Sequence, residues 1–390
     1  MKGKPDFLVQ WRDLETPVAP PATNETFGFA SELAAATDLA HLRVAHLRLP
    51  PGTRAYPPIA LRDDEAFFFV LEGEPDLWLD GHVYALKEGE GAAFNARTGI
   101  GHTFLNNTDK TVRLFAISEG PRQSSRAHHP VDPSANDNLR VAGRYWADPP
   151  PRKRGPHDGL TEALRGKPMP QGARRKDKPG LVAHWDAILN REEKSSYPGA
   201  VEEHTITAYF GRRARFSRIG INIDVLKPGR RTSWPHAERD EEEFVYVVSG
   251  RVDCWTEGDT HPMVEGDFVG WASGTGIAHV IINNSDEDAI LLVGSEANRM
   301  RNQFFYPLHP RRNEEIGALL WADHPRRKFG PHDGLPDALR DKLPPKLRRD
   351  VVAANEAASY GIGSAKPAPK AKPRKPKPAK KAKKASRGRR

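Results

Sequence analysis

The sequence predicts a mainly β protein of two tandem units, each a sandwich or small barrel, with short helices in the connecting arms and a disordered basic tail after the second unit. Three observations predict it. The chain repeats itself, and its apolar residues fall in short β-branched and aromatic runs closed by glycine. Helical periodicity is nearly absent, while Gly and Pro supply 33 and 35 of the 390 residues.

The duplication orders everything else. Gly229 to Gly250 aligns with Gly52 to Gly73 at an offset of 177, which also lays Gly266 on Gly89 and His279 on His102. The run from Thr275 to His279 answers Thr98 to His102, and Asn283 to Asp286 answers Asn106 to Asp109. Further out, Trp185 matches Trp11, Trp321 matches Trp146, and Gly330 to Leu335 repeats Gly155 to Leu160 as Gly-Pro-His-Asp-Gly-Leu. The expected organisation is a first barrel over 1–150, an arm and linker over 151–177, a second barrel over 178–345 and an extension over 346–390.

Within each copy the strands follow from the apolar runs. Phe67 to Leu71 and Phe244 to Val248 end at a glycine, and Asp80-Gly81 and Glu257-Gly258 read as hairpin turns. Leu42 to Leu49, Ile219 to Leu226, Val112 to Ile117 and Ala289 to Val293 are further strands, and a short helix is expected around Pro336 to Arg340. Asp63, Asp64 and Glu65 read as a solvated turn. In the repeated arm segment, Asp158 and Asp333 are expected to form Asx turns or helix caps, with Trp146 and Trp321 anchoring each arm on a barrel.

Composition excludes several classes. No stretch approaches the roughly 18 apolar residues of a membrane span. The first residues lead into no apolar segment of the kind a secretory signal needs. One cysteine, Cys254, leaves no intrachain disulfide and fits a reducing cytoplasm. Its counterpart is Leu77, so it reads as a packing residue. The net charge of +9 belongs to the tail: from Lys366 onward there are 13 Lys or Arg and no acid, which leaves 47 basic against 51 acidic residues elsewhere, a net of −4. Lys380, Lys381, Lys383, Lys384, Arg387, Arg389 and Arg390 are the candidate contacts to a polyanion, nucleic acid above all, without sequence preference.

Chemistry concentrates in the second copy. His236 and Glu238 stand two apart, so on a strand they share a face. Glu243 opens the next apolar run in phase with Val245 and Val247, and His279 follows a glycine-rich turn. Two imidazoles and two carboxylates can close on one cation; surface polar residues beside the acidic run from Asp240 to Glu243 are the alternative. A one-residue shift would exchange Glu243 for Glu242.

Here the sequence resembles the cupin superfamily, whose first motif, a glycine, His-x-His, a glutamate and a glycine, is matched by Gly229, His236, Glu238, Glu243 and Gly250 with one extra residue before His236. The second motif appears as Gly266, Ala272 to Gly274, His279 and Asn283. Glu238 stands where the family has its second histidine, and Ala272 replaces a proline. The resemblance implies a bicupin: two double-stranded β-helix (jelly-roll) barrels, with one divalent Fe, Mn or Zn ion on His236, Glu238, Glu243 and His279. In copy one the same positions hold Ile59, Leu61 and Ala66, and only His102 survives. That copy is expected to be metal-free, with Ile59, Leu61, Ala66, Phe68 and His102 lining an apolar interior or ligand pocket.

Two functions follow as expectations. One is a metal-dependent enzyme of dioxygenase, decarboxylase or isomerase type on a small organic substrate, leaning to a dioxygenase-like oxidoreductase. The other is a non-catalytic binding or sensor protein tethered to nucleic acid by its tail. Dimerisation through barrel edges is a further expectation from the resemblance.

Overall fold

The computed structural model describes residues 5–18, 25, 27–120, 125–191, 202–297 and 302–340. Two seven-stranded antiparallel sheets dominate, and each is backed by a three-stranded sheet. In the first copy the large sheet runs Val182–His184, Glu90–Phe94, Ala66–Glu72, Val112–Glu119, Leu42–Leu49, Phe29–Glu32, Thr16–Pro17. The second copy repeats it as Leu8–Gln10, Asp267–Trp271, Glu243–Ser249, Ala289–Glu296, Ile219–Leu226, Ile206–Ala208, Leu189–Asn190. The mainly β, two-barrel expectation is met, and both predicted turns join hairpins. Asp80 and Gly81 take φ of 45° and 85°, Glu257 and Gly258 53° and 87°, the paired positive angles that such two-residue turns need.

The end strands of the large sheets come from the opposite copy. Leu8–Gln10 pairs with Asp267–Trp271, placing Leu8 opposite Val269. Val182–His184 pairs with Glu90–Phe94, placing Val182 opposite Ala92. Boundaries at 150 and 178 therefore divide the repeats along the sequence, while each sheet takes one strand from across that division.

Why the central runs are apolar at every position now has a physical reason: both faces are buried. On Ala66–Glu72, Ala66, Phe68 and Val70 fill the first barrel with Phe94 and Phe104. Phe67, Phe69 and Leu71 instead enter a core shared with the other copy. On Glu243–Ser249, Val245 and Val247 fill the second barrel, while Phe244 and Tyr246 join Phe115, Phe210 and Phe268 in the shared core. The two large sheets thus pack face to face.

Buried carboxylates hold the same interface. Glu242 accepts from the backbone N–H groups of Ala40, His41 and Leu42 at 2.6, 2.9 and 3.0 Å. Its repeat counterpart Glu65 accepts from Ser217, Arg218 and Ile219 at 2.8, 3.0 and 3.2 Å. Each caps the start of a strand in the other copy. Glu65 is only 3% exposed, which corrects the reading of Asp63 to Glu65 as a solvated turn; the amides it satisfies lie far away in sequence. Behind them, Glu119 and Glu296 accept from the N–H of Glu65 and Glu242.

The arms dock as expected. Trp78 Nε1 donates to His157 O at 3.1 Å and Trp255 Nε1 to His332 O at 2.9 Å. Leu160 N–H closes an Asx turn on Asp158, and Leu335 N–H one on Asp333. Gly155 and Gly330 lie directly on the hairpin glycines: a Cβ on Gly330 would sit 2.6 Å from Gly258 O. Gly330→Ala is accordingly expected to cost about 2–3 kcal/mol and to hasten tryptic cleavage at Arg326 and Arg327; unchanged cleavage would refute this docking.

Candidate metal centre

The site sits at one end of the second barrel, where its two sheets meet. Glu243 begins a strand of the large sheet and lies opposite Trp271. His279 begins a strand of the small sheet and bridges to His236, each N–H donating to the other's carbonyl at 3.3 and 3.0 Å. Alternation along Glu243–Ser249 sends Glu243 inward with Val245 and Val247 and turns Glu242 to the shared core, which answers which glutamate faces His279.

His279 Nε2 is 2.9 Å from Glu243 Oε2, and His236 Nε2 is 3.5 Å from the same oxygen. Ligand atoms of His236, Glu243 and His279 all lie within 4.8 Å of one another. Ligands held at about 2.1 Å from one ion stand roughly 3.0–3.4 Å apart, so the spacing is close to what such an ion requires. Both rings are already oriented: Nδ1 of His236 donates to Trp234 O at 2.8 Å, and Nδ1 of His279 to Ile277 O at 3.0 Å. That fixes Nε2 as the inward atom, the arrangement expected of histidines that bind metal. Trp271 lies flat on His279, centroids 3.7 Å apart and 9° from parallel.

Glu238 stands beside this trio. Its Oε1 is 3.7 Å from His236 Nε2, while Oε2 accepts from Asn302 Nδ2 at 2.8 Å. Its side chain is 9% exposed, so it faces inward rather than into solvent. Of the four candidate ligands, three converge and Glu238 lies alongside them.

Electrostatics distinguish the two carboxylates. Burial would raise Glu243, but hydrogen bonds from His236 and His279 hold it well below the usual range. Glu238 is pushed well above it by burial and by the charges of Glu243 and Glu241, with the Asn302 hydrogen bond opposing. Burial works against charge on His236, yet the Glu243 hydrogen bond raises it; burial lowers His279 despite the same partner. Two acids in so dry a place share either a proton or a cation.

A small cleft of about 10 Å³ opens at this point, lined by Glu238, Glu241, Glu243, Trp271, Thr275 and His279. Trp271, Glu241 and Asn302 were not singled out in the sequence. Trp271 had a signal in its repeat counterpart Phe94; Asn302 had none.

In the first barrel, Ala66 and Phe68 share one core with partly buried Leu61, and Ile59 bridges to His102; Leu61 and Ala66 stand where the second barrel has Glu238 and Glu243. Phe94 lies on His102 at 3.8 Å, and Phe68 and Tyr56 each meet that ring at 6.0 Å. His102 Nδ1 faces Ile100 O at 3.3 Å, and burial lowers its pKa to about 4. Cys254 is fully buried in the second barrel core, its thiol pushed up to about 12 by burial.

A second group, His41, Glu242 and Glu296, also gathers carboxylates around an imidazole. Its oxygens are the strand caps described above. Lys380, Lys381, Lys383, Lys384, Arg387, Arg389 and Arg390 lie outside the described residues. Among the described residues no helix is long and apolar enough to cross a membrane.

Two β-barrels in one chain, of which one retains a His/Glu/His cluster, define a duplicated jelly-roll protein with a candidate metal centre. The cupin domain family matches residues 45–118 and 222–294, the central part of both copies. The chain thus carries two tandem cupin domains, one in each copy. Comparison with curated proteins gives no match. Among solved structures it is similar to Bacillus subtilis oxalate decarboxylase at pH 4.6, with 12% identity, a TM-score of 0.49, and coverage of 90% of this chain and 86% of that one. Another structure of that enzyme, described for its Mn(II) centres, gives 12% identity, a TM-score of 0.47, and coverage of 77% and 80%. At this distance the likeness bears on neither metal nor reaction.

Proposed function

We propose that the second barrel binds one divalent Fe, Mn or Zn ion through His236, Glu243 and His279, with Glu238 beside it, and that the protein is a metal-dependent enzyme acting on a small organic substrate. Convergence of two Nε2 atoms and one carboxylate oxygen, with both rings locked through Nδ1, carries the reading. Two histidines with one carboxylate leave coordination positions open. A bound ion would supply Lewis acidity toward a substrate oxygen. Glu243 supplies the negative charge, Trp271 fixes the plane of His279, and Glu238, its carboxyl pushed up by burial and by the charges of Glu243 and Glu241, is placed 3.7 Å from His236 to hold or hand over a proton at Oε1. Oxidative, decarboxylating and isomerising chemistry all fit this set.

Metal content of untagged protein reconstituted with Fe²⁺, Mn²⁺ and Zn²⁺ tests it. About one equivalent is expected, lost in His236→Ala and His279→Ala and retained in His102→Ala. Equal loss from all three, or no uptake by the parent, would overturn the site. Turnover of small carboxylic acids, followed as CO₂ release or O₂ uptake, then tests the enzyme reading. Metal uptake without turnover would select the alternative of a binding protein.

A further inference from the structure

Outside the metal centre, the described surface carries a groove of about 620 Å³ on the first copy, lined by Arg62, Arg126, Arg140, Tyr145, Trp146 and Asp148. That is the size of a small-molecule site, roughly 300–1,000 Å³. It lies where three backbone segments meet. Ala60–Leu61 pairs with Ala127–His128, and Ala127 bridges in parallel to Tyr145. Arg62 N–H donates to Arg126 O at 2.9 Å, so the two side chains leave adjacent backbone. Among the described residues, neither the Arg62 nor the Arg126 guanidinium has a hydrogen-bond or ion-pair partner. Arg140 stacks over Tyr145 at 4.1 Å and pairs with exposed Asp137 at 2.5 Å.

The second copy supplies an internal comparison, because its backbone is the same there. Arg239 N–H donates to Gln303 O at 2.9 Å, and Phe304 bridges to Leu320. Yet Gln303 replaces Arg126, and its side-chain amide oxygen accepts from Arg239. Leu320 replaces Tyr145. The second copy thus carries one guanidinium fewer and engages the other with an amide, where the first presents two guanidinium groups side by side.

We propose that this groove binds a small organic anion bearing two or more carboxylate or phosphate groups. Paired arginines offer the planar donor forks that suit both oxyanions, and Tyr145 under Arg140 provides a flat apolar wall. Asp148, the one acid in the lining, disfavours a continuous phosphate backbone and accepts from a hydroxyl or amino group of the ligand. The site does not depend on the metal centre.

Arg126→Gln is the informative variant, since it installs the Arg–Gln pair that the second copy already carries. Full-length protein is titrated calorimetrically with citrate and with pyrophosphate at low salt. Because the basic tail is the same in every variant, its contribution cancels. Expected is one-to-one binding of at least one probe, weakened at least tenfold by Arg126→Gln and by Arg62→Gln, and unchanged by Arg239→Gln, with thermal midpoints preserved. The tighter probe names the ligand class. Equal binding by parent and Arg126→Gln, or binding of neither probe, overturns the proposal.

Discussion

Glu242→Ala should destabilise the protein by about 3–5 kcal/mol, and Glu65→Ala by a similar amount, as read from urea unfolding at pH 7.5. One carboxylate satisfies three amides, those of Ala40, His41 and Leu42, in a place that is 1% exposed. Hydrogen bonds to a charged acceptor contribute about 1.5–3 kcal/mol each, and three donors sharing two oxygens contribute less than three times that. Removing the acceptor leaves the donors without water, because the cap lies over the shared core of Phe115, Phe244 and Phe268. The strand exchange through Leu8–Gln10 and Val182–His184 ties both barrels into one cooperative unit. A single transition is therefore expected in the parent and a lowered, broadened one in the variant. Glu242→Gln, which keeps one acceptor oxygen, should lose roughly half as much. A loss below 1 kcal/mol in the alanine variant would mean that these caps are incidental.

What the sequence disclosed and what it hid divide along the range of the interactions. Local chemistry was readable: Asp80-Gly81 and Glu257-Gly258 are hairpin turns because their own backbone needs positive φ. Strands such as Leu42–Leu49 were bounded by their own apolar runs. His236, Glu238, Glu243 and His279 were singled out from period-two alternation together with the resemblance, though not that Glu238 stands outside the converging three, and Cys254 was read from its leucine counterpart. Glu65 was misread because an Asp-Asp-Glu run looks solvated when its partners, the amides from Ser217 to Ile219, are not in view. One signal was present. Glu65 and Glu242 are retained in both copies, as are Glu119 and Glu296, whereas the His236, Glu238 and Glu243 positions diverge. The glutamates kept in both copies hold the barrels together, whereas the positions that diverge include three of the four candidate ligands. Arg126 against Gln303 belongs to the second kind. The exchanged strands are three residues long and had no local signature, since their stability comes from the sheet edge they cover.

Acid should weaken the shared core through His46, and His46→Phe should remove much of that sensitivity. His46 is 1% exposed, lies on Trp11 with centroids 3.9 Å apart, and neither ring nitrogen has a hydrogen-bond partner. Burial, then the charges of Arg113, Arg12 and Arg48, lower its pKa from 6.5 to about 3. Below pH 6.5 the unfolded chain takes up a proton that the native state refuses until about pH 3. This stabilising contribution is therefore fully present above 6.5 and is lost as pH falls through that window. Each pH unit costs about 1.4 kcal/mol, so by pH 3 the loss reaches roughly 4–5 kcal/mol. Buried His102, also lowered, to about 4, adds to the total acid sensitivity, so the test is a difference between proteins. Between pH 7.5 and 4.5 the parent should lose about 2–3 kcal/mol more than His46→Phe in urea unfolding. Phenylalanine keeps a flat ring against Trp11, and the second copy already places apolar Ile223 at the equivalent position, fully buried in the same core. Parallel pH profiles for the two proteins would show that His46 takes up its proton in the native state as readily as in the unfolded chain. The core would then have to admit water between Trp11 and Tyr246, and the closed packing of the two sheets described above would be wrong at that point.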